Sequence, residues 1–294
     1  RGSADVVEPG PTAGRYRVRR AEVTTPVSIL VPTFGAQSCA PAHVPVVQRA
    51  ITSLVDTTEP GRIEVVVATE DGTVPDEVAR ALAAVPHHII RVPGAFNFSQ
   101  RINAAAAVAT HPMLLIGNDD LEALTPGWLD AMLDYALRPA VGAVGPRLDL
   151  PDGRIQHVGL LLGVCGLAAH AFHHGPGSHQ GYFGTSISPR NVSAVTGACL
   201  MTRADVFAAI GGMDEAFARD LNDVDYCLRA QARGLRVVYT PYARLRHHEG
   251  PSLGLRAPSD HEQQLMRTRW AQTLARDPFF NPNFSTDHVD YRLR

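Results

Sequence analysis

The sequence predicts an α/β fold, a mixed and mostly parallel sheet flanked by helices in a single domain. Two observations predict it. Continuous apolar, β-branched runs recur at 27–31, 63–68, 88–92 and 113–116. The segments between them carry apolar residues at helical spacing, and strand and helix alternating in this way build βαβ units around an open sheet.

The elements follow in order. Residues 1–25 are rich in Pro, Gly and Arg without clear periodicity and read as an extension or linker. The run 27–31, ended by Pro32, is a strand buried on both faces. Val44, Val47, Ile51, Leu54 and Val55 mark a helix over 43–57. The strand 63–68 ends in the segment TEDGT, a helix follows at 75–85, and 88–92 is a short third strand. Ser99 is placed to cap a helix reaching Ala109. The strand 113–116 runs directly into Asn118, Asp119 and Asp120. After residue 140 the alternation weakens into strands at 141–150, 159–164, 192–201 and 237–240. Helices are expected at 203–210, 223–233 and 258–276. No internal repeat is present, so the second half elaborates the same sheet. The boundaries read as 1–25 extension, 26–250 main domain and 251–294 C-terminal helix and tail.

Composition excludes several functions. The 294 residues include 27 basic and 29 acidic side chains for a net charge of −2, and every basic residue is Arg. With no Lys there is no Schiff-base or pyridoxal-phosphate chemistry and no Walker-type phosphate loop. A near-neutral chain lacks the basic face that nucleic-acid binding requires. At 45% hydrophobic and 19% charged, the chain can bury a core. Cys39, Cys165, Cys199 and Cys227 have no C-x-x-C spacing and read as reduced cytoplasmic thiols. The run 159–172 is too short to span a bilayer, which takes about 20 residues. No signal-peptide pattern opens the chain. A soluble protein is expected, with peripheral membrane contact left open.

Ligands of open α/β sheets sit at the carboxyl ends of the strands, where the acidic clusters 70–71 and 119–120 fall. Carboxylates there suit Mg²⁺ or Mn²⁺ bridging substrate phosphates. Two adjacent Asp residues also serve as helix caps, so other segments must add weight: NDVD at 222–225, opening a helix, and HHE at 247–249, beyond the last strand.

Read together, the motifs VSILVPT (27–33), FNFS (96–99), RIN (101–103), NDD (118–120) and GAVG (142–145) begin an ordered series. It continues with PDGRIQH (151–157), NVSAVTGA (191–198), NDVDYCLR (222–229), YTPY (239–242), HHE (247–249) and DPFFNPN (277–283). The series resembles family 2 glycosyltransferases of the GT-A fold, of the kind that builds bacterial polysaccharide, cell-wall and rhamnan-type chains. The resemblance covers roughly residues 26–250.

The resemblance implies an inverting sugar transfer from a nucleotide-diphosphate sugar to a hydroxyl of a glycan or lipid-linked glycan. It implies a divalent cation, Mn²⁺ or Mg²⁺, stabilising the diphosphate leaving group. By similarity Asp120 and His248 are metal ligands, and Asp223 is the general base at a helix start, where the dipole favours its ionised form. Pro32, Thr33 and Phe34 shape the nucleotide pocket, Glu70 or Asp71 meets base or ribose, and Arg101 and Asn103 reach the same region. Asn118 stands where the family more often has an acid, so either Asp119 compensates or water fills the place. Thr196 and Gly197 line the cleft between acceptor and donor sugar. Arg101 and Arg190 are the first candidates to neutralise the diphosphate, and Trp128 and Trp270 are either sugar platforms or core. The implied setting is the cytoplasm, at the inner face of the membrane, as an oligomer or as part of a larger chain.

Three other readings compete. His157, His170, His173, His174 and His179 suggest a zinc hydrolase, but no H-E-x-x-H or H-x-H pattern orders them. A nucleotidyltransferase commonly has a Gly-rich loop with Arg and Lys near the first strand, and TFGAQS (33–38) has neither. Departures at Thr69, Asn118 and Asn222 keep a degenerate, non-catalytic nucleotide- or glycan-binding module in play.

Overall fold

A computed structural model describes residues 5–20, 22–249 and 257–294. The first half runs β1 (Asp5–Pro9), β2 (Tyr16–Arg20), β3 (Val27–Pro32), α1 (Val44–Asp56), β4 (Ile63–Thr69), α2 (Asp76–Leu82), β5 (His87–Arg91), α3 (Phe98–Val108), β6 (Met113–Gly117), β7 (Leu121–Ala123) and α4 (Trp128–Ala136). The second half adds β8 (Val141–Asp149), β9 (Ile155–His157), β10 (Leu160–Leu162), β11 (Ala168–His170), β12 (Arg190–Asn191), β13 (Cys199–Arg203), α5 (Ala204–Ile210), α6 (Asn222–Ala232), β14 (Arg236–His247) and α7 (Asp260–Ala275).

One sheet of ten strands joins both halves in the order β12-β14-β8-β13-β6-β3-β4-β5, with β7 on β14 and β9 on β8. β3, β4, β5 and β6 are parallel, as are β8 and β14, while β13 runs antiparallel between β6 and β8. The continuous apolar runs arise because these strands are covered on both faces. Ile29 and Val31 pack with Ile51, Leu54 and Val65 on one side, and Leu30 packs with Val66, Ile102 and Ile116 on the other. Each such buried aliphatic side chain contributes about 1.5–3 kcal/mol.

The topology decides where a ligand fits. The chain steps outward through β3, β4 and β5, then α3 returns it across β3 to lay down β6 on the other side. The strand order therefore reverses between β3 and β6, and at such a switch point a crevice opens beyond the carboxyl ends. The loop that begins at Thr33 lies on the β3 side of it and Asn118 to Asp120 on the β6 side.

Several expectations change. Residues 5–20, within the segment expected as an extension or linker, form a hairpin docked by Arg17 and the Arg20 backbone on Asp134 of α4. Polar bonds hold it, which is why no apolar periodicity announces it. The strand expected over 192–201 is only β13 at its end, because residues 196–198 turn to meet α6. Asn97, and not Ser99, caps α3, while the Ser99 hydroxyl donates to Phe217 O. Trp128 is core, its ring N–H donating to Thr57, and the Trp270 indole donates to the buried Asp225. The four cysteines are free thiols. The boundary expected at residue 250 lies outside the described residues.

Candidate active site

The floor of the crevice is built by the loop after β3. Thr33 is buried, its hydroxyl donates to Asp119 Oδ2, and its carbonyl accepts from the Arg101 guanidinium. Arg101 also donates to Glu70 Oε2 at 3.1 Å and lies 4.4 Å over the Phe96 ring, which stacks on Phe34. Glu70 accepts in addition from Gly35 N and from the Ser38 hydroxyl. Burial pulls the Arg101 pKa down against the pull of Glu70, and the side chain is spent on these internal partners. Asp71 accepts from the backbone and hydroxyl of Thr73, bonds that hold its carboxyl below the usual range.

Two expected members of this floor lie elsewhere. Asn103 bonds Met213 on both its amide atoms and reaches Glu215. The reason is helical: a residue two positions beyond Arg101 faces away from it. Arg190 donates to Val158 O and Thr185 O and covers Tyr239, so its guanidinium braces the β12 edge.

The other lip is Asn118 to Asp120. Asp119 Oδ2 lies 3.0 Å from Nε2 of His43, a buried residue just ahead of α1 that sequence reasoning passed over. This bond raises the His43 pKa against the effect of burial. Asp120 Oδ1 lies 3.0 Å from His247 Nε2, and the Asn118 amide is 3.2 Å from the same nitrogen. The histidine beside Asp120 is therefore His247, whereas His248 was the expected ligand. His248 Nε2 is 2.8 Å from Glu122, which Arg246 also bonds at 3.0 Å. Pairing of β14 with β7 sets this: residues 246 and 248 share one face, and 247 takes the other. The motif HHE held the signal but not the choice. Burial opposes protonation of His247, yet Asp120 raises its pKa overall.

Strand pairing brings in the third part. β13 pairs with β6, and Asn118 N donates to Ala198 O at 2.9 Å. One residue earlier, Gly197 N donates to Asp223 Oδ2 at 2.7 Å, while Val224 N holds Oδ1 at 2.8 Å. A Cβ on Gly197 would stand 3.3 Å from that of Asp223, so the glycine permits close approach. Asp223 opens α6 after Leu221, which adopts the left-handed conformation with φ 62°. The helix start was expected to favour the ionised form. Instead, burial pushes the carboxyl above its usual range, against the bonds from Gly197 and Val224. A carboxylate of raised basicity is better matched to taking a proton near neutral pH.

The histidines at 157 and 170 sit apart from this pattern. Their Nδ1 atoms are 3.0 Å apart, and burial lowers both pKa values, that of His170 to about 3. Among the described residues no group of three or more His, Cys, Asp or Glu side chains is arranged to hold a metal ion. At the crevice, Asp120 and His247 face each other.

Comparison with known proteins follows this geometry. The model of a family described as glycosyltransferase like family 2 matches residues 25–273. The chain is 35% identical to the protein y4gI of Sinorhizobium fredii, over 97% of this chain and 32% of that protein. It is also 35% identical to the O-antigen biosynthesis protein RfbC of Myxococcus xanthus, over 99% of this chain and 23% of that protein. The chain thus spans about a third or less of these relatives. The fold is similar to a crystal structure of GalNAc-T7 with UDP, GalNAc and Mn²⁺, at a TM-score of 0.67 and 12% identity, over 87% of this chain and 50% of that one.

Proposed function

From the premise that this chain belongs to glycosyltransferase family 2, we propose that it transfers a sugar with inversion from a nucleotide-diphosphate sugar to a hydroxyl of a glycan or lipid-linked glycan. The observation that carries the reading is the convergence at the switch point. Asp223 on α6 is bonded to Gly197, and the neighbouring Ala198 is bonded to Asn118 beside the Asp120 and His247 pair. Residues far apart in the chain thus form one lip of one crevice.

The nucleotide lies against Pro32, Thr33 and Phe34, with Asp119 and Glu70 or Asp71 as acceptors for its base and ribose. Arg101 shapes this floor and stabilises its carbonyls and acids. Thr196 and Gly197 border the donor sugar. Asp120 and His247, 3.0 Å apart, are the residues that would hold a divalent cation, the carboxylate oxygen being the donor type that suits Mn²⁺ or Mg²⁺. When bound, the ion supplies charge stabilisation to the departing diphosphate. Asp223 takes the proton of the acceptor hydroxyl as that oxygen bonds the anomeric carbon. The bond from that carbon to the phosphate oxygen breaks, and the nucleoside diphosphate leaves.

In this reading the reaction belongs to polysaccharide assembly at the cytoplasmic face of a membrane, within a longer chain, and the similarity to the O-antigen biosynthesis protein RfbC supports the first of these. No helix among the described residues is long and apolar enough to cross a bilayer. Thermal-shift titration with UDP, TDP and GDP, with and without Mn²⁺, tests the reading. Saturation at a hundred times Kd adds about 2.7 kcal/mol, a rise of about 4–5 °C for a chain of this size. No shift with any nucleotide counts against it, and binding without turnover of donor sugar favours a non-catalytic module.

A further inference from the structure

Resting on that nucleotide-sugar reading, we propose that His43 is a positioning residue: it fixes Asp119 so that the carboxylate receives the donor nucleotide. Three observations carry this. First, the Asp119 oxygens are divided. Oδ2 takes both the Thr33 hydroxyl and His43 Nε2, and Oδ1 has no protein partner among the described residues. Two donors on one oxygen lock the carboxylate and leave the second oxygen to accept from a ligand. Donation also draws charge toward Oδ2, easing approach of an anionic diphosphate to a lip that carries two adjacent acids.

Second, His43 is badly suited to a purely structural role. Its side chain is only 3% exposed, and its Nδ1 is buried with no hydrogen-bond partner. A buried polar atom left unpaired is destabilising, and an apolar residue of similar size would avoid it.

Third, His43 occupies the N-cap of α1 and makes no side-chain cap bond. Ser, Thr, Asp or Asn at that position would satisfy the helix start. Local rules broken together at one residue mark a functional constraint. The ring turns inward from the helix start, edge-on to Phe34 at 6.5 Å between centroids, and spends its one bond on Asp119.

Amide substitutions separate the two ring nitrogens. His43→Gln restores a donor near Nε2, whereas His43→Asn places its amide near the orphaned Nδ1. Calorimetric Kd values for UDP, TDP and GDP with Mn²⁺ are compared with donor KM, kcat and Tm. His43→Asn and His43→Leu are expected to raise Kd and donor KM at least tenfold with kcat within about threefold, and His43→Gln to stay within about threefold of wild type. In an Asp119→Asn background, His43→Asn is expected to add nothing. The proposal is overturned if folded His43→Asn binds nucleotide like the wild type, if Asn rescues as well as Gln, or if the two substitutions multiply. Failure of the wild type itself to bind any of the three nucleotides overturns the nucleotide-sugar reading, and this one with it.

Discussion

Replacing Asp223, the base proposed above, by Asn tests catalysis apart from stability at one atom. The carboxylate accepts from Gly197 N through Oδ2 and from Val224 N through Oδ1. An amide has one accepting oxygen, so Asn keeps one of these bonds and sets an N–H₂ against the other donor. Losing one bond to a charged group costs about 1.5–3 kcal/mol. Against this stands the burial that raises the Asp223 pKa. A raised folded-state pKa means that the carboxyl favours folding fully below its unfolded pKa and loses that contribution as pH rises through the folded value. In its ionised form the buried group therefore opposes folding, and the neutral amide removes that opposition. The two effects oppose each other, so the variant is expected to lose less stability than the bond alone is worth, a Tm drop of under about 5 °C. Catalysis has no such compensation. A positioned base contributes about 10²–10⁴-fold, or about 3–5 kcal/mol of barrier. Steady-state turnover of the donor, with calorimetric binding of the nucleoside diphosphate in parallel, is expected to show kcat falling at least a hundredfold with Kd within about twofold. A variant keeping more than a tenth of wild-type kcat would refute Asp223 as the base.

Further outcomes follow from the same geometry. His247→Ala and Asp120→Asn are expected to weaken Mn²⁺ binding more than tenfold by titration calorimetry and His248→Ala less than threefold; the opposite ranking would restore His248 as the ligand. Gly145→Ala brings a Cβ to 2.4 Å from that of Val195 in the core, which overpacking makes destabilising by about 1–3 kcal/mol. An unchanged denaturation midpoint would disprove that contact. His157 and His170 are held neutral, so their contribution is complete above the unfolded pKa of about 6.5 and is lost as pH falls toward the folded values. Urea denaturation at pH 7.5 and 5.0 should show wild type losing about 1–2 kcal/mol more than His170→Phe, and equal losses would contradict the burial.

Much of the fold was legible because its signals are local. A strand covered on both faces reads as an unbroken apolar run, as at Val27 to Val31, and the helices between keep their spacing. The ordered motifs also marked the segments of the site, with Asp119, Asp120 and Asp223 among them. The hairpin at Asp5–Pro9 and Tyr16–Arg20 was not legible, because Asp134, far along the chain, supplies its anchor.

By itself, then, the sequence determined the alternation of strands and helices, the family, and the stretches that carry acids to strand ends. Only the tertiary structure decided which side chains meet. The register of β14 on β7 turned His247 to Asp120 and His248 to Glu122. The helical angle between Arg101 and Asn103 sent the second away from the crevice, and His43 reached Asp119 across 76 positions. Burial reversed the expected sense of the Asp223 pKa. The physical reason is common to all four: chain pattern sets the period of an element, whereas partner and dielectric come from elements distant in sequence, and a shift of one residue exchanges one face for the other.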